Sequence, residues 1–441
     1  MASALLPSDI SLQPYFKRLA AVETMPVTGE VQRVVGLLVE SSGPAAGVGE
    51  LCSVRTSGNR SVPVEVVGFR DGRLLSVPLS ETTGIRPGDR VISTGQTPSI
   101  PIGAGLLGRV IDGFGRPLDG RGPLQHTRLA PLQPQVLNPL DREGIHEPIG
   151  TGVRAIDALL TAGRGQRIGV FGGSGVGKST LLGMMARGTE ADVVVLCLVG
   201  ERGREVRSFI EHDLGPRGLE RAVLVVSTSD NPALARQRAA YAATAIAESF
   251  RDAGKHVLLM MDSVTRFAMA QREIGLAAGE PPTAKGYPPS VFARLPGLLE
   301  RAGAVRGKGS ITAFYTVLVE GDDQNEPIAD AVRAILDGHI VLSRDLASRN
   351  HYPAIDILPS VSRTMPDVTT VEHRARAASV RDMLATVRDN EDLINVGAYV
   401  AGSNARIDQA LARREAINRF LCQPADMDVR LADAIAALDT L

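Results

Sequence analysis

Gly172-Gly173-Ser174-Gly175-Val176-Gly177-Lys178-Ser179 is preceded by Arg167-Ile168-Gly169-Val170-Phe171 and followed by Thr180-Leu181-Leu182-Gly183-Met184-Met185. The apolar run before the glycines predicts a short buried strand. Apolar residues recur at helical spacing after Lys178, so the glycines fall on a strand-to-helix turn. Gly172, Gly173, Gly175 and Gly177 let the backbone turn its N–H groups inward at dihedral angles that side chains forbid, and the following helix points its positive end at the same spot. Those are the requirements of a phosphate-binding loop. In that role Lys178 reaches the β- and γ-phosphates of a nucleotide and Ser179 ligates magnesium, with Ser174, Val176 and Thr180 completing the cradle. A glycine-rich turn with an incidental lysine is the plainer alternative; the full G-x-x-x-x-G-K-S spacing in a strand–loop–helix setting counts against it.

A chain of 441 residues exceeds one ordinary core, and two to four domains are expected. With 44% hydrophobic and 22% charged residues, the composition is that of a soluble globular protein. The 48 Lys and Arg against 49 Asp and Glu leave no electrostatic footprint for nucleic acid, and 4% aromatics without tryptophan leave few stacking platforms. Cys52, Cys197 and Cys422 show no metal-ligand spacing and are expected as reduced thiols in a cytoplasmic protein. No secretory signal is legible, and the uncharged stretch 91–108 is broken by Pro98 and Pro101 and cannot span a bilayer as a helix.

Along the chain, Leu12, Tyr15, Phe16, Leu19 and Val22 outline one apolar face of a short helix in residues 1–26. Residues 27–97 hold short strand-like runs at 31–39, 50–55, 62–69 and 74–79, separated by Gly43-Pro44, Gly58-Asn59, Asp71-Gly72 and Pro87-Gly88, a pattern that predicts a small β-barrel. Residues 98–371 form an α/β domain. Its first part, 98–149, is a Gly- and Pro-rich linker with enough apolar residues to pack on the rest of that domain. Strands expected at 168–171, 193–199, 223–227, 257–261, 311–318 and 340–342 alternate with helices, which predicts a largely parallel sheet with its ligands at the carboxyl ends of the strands. From 372 to 441 helical periodicity takes over at 375–387, 407–421 and 429–438, as in a small helical domain.

Two clusters outside the glycine loop carry chemistry. After the second core strand comes Gly200-Glu201-Arg202-Gly203-Arg204-Glu205, where a carboxylate can orient or deprotonate an attacking water and guanidiniums can neutralise phosphate. By itself such a loop is usually just solvated. The run His256-Val257-Leu258-Leu259-Met260-Met261-Asp262-Ser263 is an apolar strand ending in an acid, placed to hold the water shell of magnesium beside Ser179. Arg266 follows one helical turn later and can point back toward a γ-phosphate; its plainer role is a surface salt bridge.

Gly200-Glu201-Arg202-Gly203-Arg204-Glu205, Met261-Asp262-Ser263-Val264-Thr265-Arg266-Phe267-Ala268, Gly279-Glu280-Pro281-Pro282 and Tyr352-Pro353-Ala354-Ile355-Asp356 resemble the catalytic-subunit relatives of rotary ATP synthases. More narrowly, the chain is similar to type III protein-export ATPases. Within them it resembles flagellar export ATPases through Val35-Gly36-Leu37-Leu38-Val39-Glu40-Ser41-Ser42-Gly43-Pro44, Ile274-Gly275-Leu276-Ala277-Ala278-Gly279 and Ser360-Val361-Ser362-Arg363-Thr364-Met365. The resemblance covers residues 27–441 and is weakest over the first 26. It implies a RecA-like phosphate-loop core between a β-barrel and a helical C-terminal domain. It also implies Glu201 as general base, Arg202 and Arg266 as γ-phosphate contacts, and Glu205 as organiser of the magnesium water shell. Tyr352 corresponds to an aromatic stacked on adenine, with Tyr399 closing the other side. Arg363 corresponds to an arginine finger reaching into a neighbouring subunit.

A chain carrying both base and finger can complete the sites of its own copies head to tail, and such a contact closes into a ring. By resemblance the ring is a homo-hexamer, with the proline-rich loop 279–289 lining a central pore around a stalk protein. The same resemblance implies an export-apparatus regulator, for which residues 1–26 are the candidate binding segment, chaperone–substrate complexes, and peripheral contact with an export gate at the inner membrane. An injectisome type III secretion ATPase, a proton-translocating ATP synthase subunit, a nucleic-acid translocase ring and a nucleotide-gated scaffold are the competing readings; the charge balance speaks against the third and Glu201 against the fourth.

Overall fold

The computed structural model describes residues 12, 13, 15, 16, 27–133, 137–319 and 326–441. The chain divides into two compact units, Met1–Thr97 and Pro98–Leu441. Of the apolar helical face expected near the start, Leu12, Tyr15 and Phe16 are exposed, while Leu19, Val22 and most of 1–26 lie outside the described residues.

Six strands close the first unit into a barrel: β1 (Thr28–Val35), β2 (Leu38–Ser41), β3 (Leu51–Arg55), β4 (Ser61–Arg70), β5 (Arg73–Pro78) and β6 (Arg90–Gln96), in the order β1-β2-β5-β4-β3-β6 with β6 returning to β1. Period-two alternation builds it. Val62, Val64 and Val66 of β4 point inward to meet Cys52 and Val54 of β3 and Val91 of β6. Closure leaves no strand edge to recruit another chain. The run 31–39, expected as one strand, is two, because Gly36 adopts φ 57° and turns the chain back between β1 and β2.

The second unit is built on a sheet made from β8 (Arg109–Asp112), β10 (Arg167–Gly172), β11 (Val193–Val199), β12 (Ala222–Ser227), β13 (His256–Asp262), β14 (Ser310–Leu318), β15 (Gly338–Leu342) and β16 (Ile355–Ser362); β7 (Ser99–Ile102) and β9 (Arg128–Pro131) pair separately. The order is β16-β15-β10-β14-β13-β11-β12-β8, parallel throughout except for β16, with the short strand Gly303–Ala304 added antiparallel on β14. Successive side chains of one strand feed two cores. Val194, Leu196 and Leu198 lie on the side of α1 (Arg154–Leu159), which contributes Ile156 and Leu159, and of α2 (Lys178–Gly188), which contributes Leu181 and Met185. Val193, Val195 and Cys197 meet Ala239, Ala243 and Ile246 of α3 (Ala233–Asp252) and Phe267 of α4 (Val264–Ala277). Burial on both faces is why these strands read as unbroken apolar runs. The helices α5 (Val371–Asp389), α6 (Ala405–Leu421) and α7 (Leu431–Ala437) share the α2 core through Ala377, Val380, Ile417 and Ala434.

In the order of the large sheet, two strands go beyond the sequence reading. The stretch 98–149, expected as a packed linker, contributes β8, whose residues pair with β12 from Val223↔Arg109 to Val226↔Asp112. The edge strand β16 was hidden by Asp356, Pro359, Ser360 and Ser362, which interrupt its apolar residues; Pro359 is tolerated because an edge strand has one side without a ladder.

Candidate active site

The phosphate-loop glycines leave the carboxyl end of β10 and enter α2 at Lys178. Gly177 is left-handed at φ 87°, a backbone conformation that favours glycine, and the Tyr352 ring lies beside it, 3.4 Å from where a Cβ would stand. The buried Lys178 ammonium donates to the carbonyl oxygens of Gly172, at 3.1 Å, and of Gly173. Burial lowers its pKa, opposed by the carboxylates of Asp262 and Glu201. At the far end of α2, Arg221 donates to the carbonyls of Ala186, Arg187, Thr189 and Ala191, capping the helix that carries Lys178.

β11 ends at Val199, and Gly200 follows at φ 72°, where a Cβ would press within 3.0 Å of the Arg266 stem. The glycine makes room for the arginine to cross the mouth of the strand. Glu201 comes next. Burial first, then the Asp262 charge and the hydrogen bond to Glu205, push its pKa up to about 7, partly offset by Arg266. Burial also works against the Glu205 anion, but the bond from Glu201 and the Arg202 guanidinium, 3.3 Å away, outweigh it and hold Glu205 below the usual range. Of the two carboxyl groups, Glu201 is the one whose pKa is raised and Glu205 the one whose pKa is lowered, so Glu201 keeps its proton to the higher pH.

Asp262 closes β13 and is buried, which raises its pKa against the pull of Thr316, Lys178 and Arg266. Ser263 caps α4 by accepting from Arg266 N at 3.3 Å, fixing the turn on which Arg266 stands. Among the described residues, the buried Nε of Arg266 has no hydrogen-bond partner, and its Nη1 finds only Met269 Sδ at 3.8 Å. A partly buried guanidinium so poorly satisfied fits a site that receives an anion.

Ser174, Gly175, Gly177, Lys178, Ser179 and Thr180 line one cavity of about 890 Å³ together with Glu201, Arg202, Glu205, Asp262 and Arg266. A separate cavity of about 320 Å³ between Arg142, Tyr241, Glu248 and Arg301 holds none of them. Gly172, Gly173 and Val176 are buried behind the loop. The cavity also takes in Thr265, from the motif that carries Asp262, and Lys285 and Tyr287, from the loop 279–289, none of which was given a role from the sequence, as well as Arg272 and Arg344, which sit in helices with no motif of their own. The loop 279–289 thus reaches the cavity through Lys285 and Tyr287.

Tyr352 is 41% exposed beside Gly177, and its carbonyl accepts from Gln423 N at 2.9 Å. The buried Gln423 side chain accepts from Arg154 N at 2.8 Å and donates to the carbonyls of Gly152, at 2.8 Å, and Met427, at 2.6 Å. The segment after α6, rather than Tyr399, is therefore what backs Tyr352. Tyr399 is turned toward Asp408 Oδ1 at 2.9 Å and the Asn404 carbonyl at 3.0 Å, held there by α6; neither Tyr352 nor Tyr399 is among the residues lining the cavity, and of the two it is Tyr352 that lies beside the loop at Gly177. Arg363 also stays out of its own chain's site. Gly338 pairs with Ser362 and Phe171 with Val341, so Arg363 emerges at the end of the sheet opposite the glycines, about 16 Å away at ~3.3 Å per residue. It is exposed, with its amide on the Asp337 carbonyl at 3.0 Å.

Comparison with known proteins agrees with this geometry. Residues 31–95 match the beta-barrel domain and residues 152–362 the nucleotide-binding domain of the ATP synthase alpha/beta family, and residues 369–440 match the T3SS EscN ATPase C-terminal domain. The chain is 56% identical over 417 residues to the flagellum-specific ATP synthase of Bacillus subtilis (strain 168), covering 94% of both chains. It is 52% identical over 399 residues to the type 3 secretion system ATPase of Xanthomonas euvesicatoria, covering 90% of each. The assembled ATPase EscN from the enteropathogenic E. coli type III secretion system superimposes with a TM-score of 0.88 at 46% identity, over 93% of this chain and 99% of that one. EscN in complex with its central stalk EscO gives a TM-score of 0.86 with the same coverage. The chain belongs to the ATP synthase alpha/beta family. Within that family it is an ATPase of the group formed by flagellum-specific ATP synthases and type III secretion system ATPases. Among the described residues no helix is long and apolar enough to cross a membrane.

Proposed function

We propose that this cavity hydrolyses magnesium-bound ATP for a flagellar type III protein export apparatus, in the delivery or unfolding of export substrates. The observation that carries the reading is the convergence of Lys178, Glu201, Asp262 and Arg266 on one cavity from the ends of separate strands and helices. Lys178 exchanges the carbonyls of Gly172 and Gly173 for β- and γ-phosphate oxygens, and the loop N–H groups at the start of α2 hold the rest of the phosphate chain. Ser179, Glu205 and Asp262 supply a hydroxyl and two carboxylates, the hard oxygen donors that Mg2+ takes while keeping much of its water. The bound ion neutralises charge on the β- and γ-phosphates. Glu201 accepts the proton of the attacking water, Arg202 and Arg266 take up charge on the γ-phosphate, and Tyr352 stacks on adenine.

Arg363, stranded outside its own cavity, serves that of the next copy in a head-to-tail ring. The assembled EscN and its complex with a central stalk support a homo-hexamer threaded by a stalk protein here too. The ring works in the cytoplasm, touching an inner-membrane export gate peripherally, with a regulator on residues 1–26, chaperone–substrate complexes as clients and no nucleic acid. The 56% identity to a flagellum-specific protein favours the flagellar apparatus, and the 52% identity to a type 3 secretion system ATPase carries the second reading.

The test pairs chemistry with biology. Lys178→Ala should abolish phosphate release and, placed in a motile strain lacking the gene, leave flagellin inside the cell. A purified variant turning over ATP within about twofold of the parent would remove the central assignment. Restored effector secretion without restored motility, by the unaltered chain, would move the protein to the second reading.

A further inference from the structure

Strand β14 runs Ser310-Ile311-Thr312-Ala313-Phe314-Tyr315-Thr316-Val317-Leu318 and is buried along nearly its whole length. Two threonines interrupt its apolar interior. Thr312 is accounted for at the start of the strand, where it accepts from Gly165 N at 2.9 Å. Thr316 lies toward the other end and is 0% exposed. In the sheet β14 stands between β10, which carries the phosphate loop, and β13, which carries Asp262. Its register places Thr316 opposite Val170 on one side, and Tyr315 opposite Met261 on the other, so Thr316 is level with Asp262.

The Thr316 hydroxyl is 2.5 Å from Asp262 Oδ1 and 3.3 Å from the Met261 carbonyl. A threonine has one proton to give, and the shorter contact, in the range of a charge-assisted O–H···O bond, takes it. The bond fixes one oxygen of a carboxylate that lines the cavity, and with it the plane of the whole group. A hydroxyl merely satisfied in a core would need only the carbonyl. We infer that Thr316 is a positioning residue for the metal site, holding Asp262 in the orientation that receives the divalent cation accompanying the nucleotide. This rests on the reading of Asp262 as a carboxylate of that metal site.

The probe is Mn2+, counted as the free ion by electron paramagnetic resonance during titration of the hexamer with ADP present. Thr316→Val keeps the shape and removes the hydroxyl; its Mn2+ affinity should fall tenfold or more, as is typical when a partner of a metal ligand is lost, while ADP affinity without metal stays put. Thr316→Ser restores the hydroxyl and should remain within about threefold of the parent. Thr316→Ala repeats the loss should the valine variant fold poorly. Unchanged Mn2+ affinity in folded valine or alanine variants would overturn the inference, and so would serine and valine variants equally weakened, since packing of the methyl group would then be the cause. Asp262→Asn separates the two layers. If it too binds Mn2+ normally, the assignment of Asp262 fails; if it alone loses Mn2+, only the role of Thr316 does.

Discussion

Glu201 owes its proton affinity to its surroundings more than to its own chemistry. Solvent is excluded from one side, Asp262 repels a second negative charge, and Glu205 accepts the hydrogen bond that the neutral acid donates. The free enzyme therefore holds a proton on Glu201 up to about pH 7. A base must be empty to work, so kcat/KM should fall as pH drops through that value and level off above it. Glu201→Gln removes the titrating base while preserving its hydrogen bonds to water. Turnover should drop by about 10²–10⁴ with ATP still bound, and the residual rate should lose its break near pH 7. Steady-state rates across pH, beside a binding titration, check both. Equal losses of affinity and rate in the glutamine variant would make Glu201 a structural residue.

At the scale of elements, the site depends on joints behind it. Helix α2 brings Lys178 to the cavity from its first turn, and its last turn is capped by Arg221. Beside that last turn, Gly152 packs so closely on Gly188 that a Cβ on it would come within 2.5 Å of the Gly188 Cα. Gln423 grips this same Gly152 and also closes on Tyr352, joining the helical C-terminal part to both sides of the nucleotide site. Gln423→Ala would strip three side-chain hydrogen bonds from buried or half-buried backbone groups, a cost of about 2–4 kcal/mol at ~1 kcal/mol per bond plus desolvation. The expected outcome is a lower urea midpoint and a KM for ATP raised severalfold, with kcat less affected: the main-chain bond from Gln423 N to the Tyr352 carbonyl survives, but the segment that makes it loses its side-chain anchors to Gly152, Arg154 and Met427, while Lys178 keeps its own support. A normal KM in a destabilised variant would confine Gln423 to stability.

For the whole molecule, the proposed role of Arg363 in the next copy's cavity predicts that activity is a property of pairs. Arg363→Ala and Glu201→Gln should each be nearly inactive alone, for reasons on opposite sides of one interface. In a randomly mixed ring about a quarter of interfaces pair an intact Glu201 with an intact Arg363, so up to roughly a quarter of parental activity should return. Phosphate release across mixing ratios should peak near equal amounts and rise with protein concentration as rings assemble. A fully active Arg363→Ala variant would end the shared-site reading.

What could be read along the chain is what local geometry encodes. The glycines, Lys178 and Ser179 are contiguous, and a strand-to-helix turn of that composition has few other uses. Asp262 was legible because it ends an apolar run, and the barrel because its strands alternate between short turns. The family motifs extended this to Glu201, Arg266 and Tyr352 as residue types in order. The convergence of Glu201, Asp262 and Arg266 on one cavity depends on strand order, as β14 enters between β10 and β13 although it follows both in the chain. The same crossing brings Thr316 to Asp262, a contact that no periodicity within β14 announces. Residues 109–112 become a strand only by pairing with β12, and Arg363 leaves its own cavity only because β16 returns antiparallel. Tyr399 is an aromatic in the right region of the sequence; the fold instead sets Gln423 behind Tyr352 and ties Tyr399 to Asp408. Periodicity and spacing specify what each segment becomes, whereas the pairing of distant segments is settled by the burial and hydrogen bonding of the whole sheet, which only the folded chain displays.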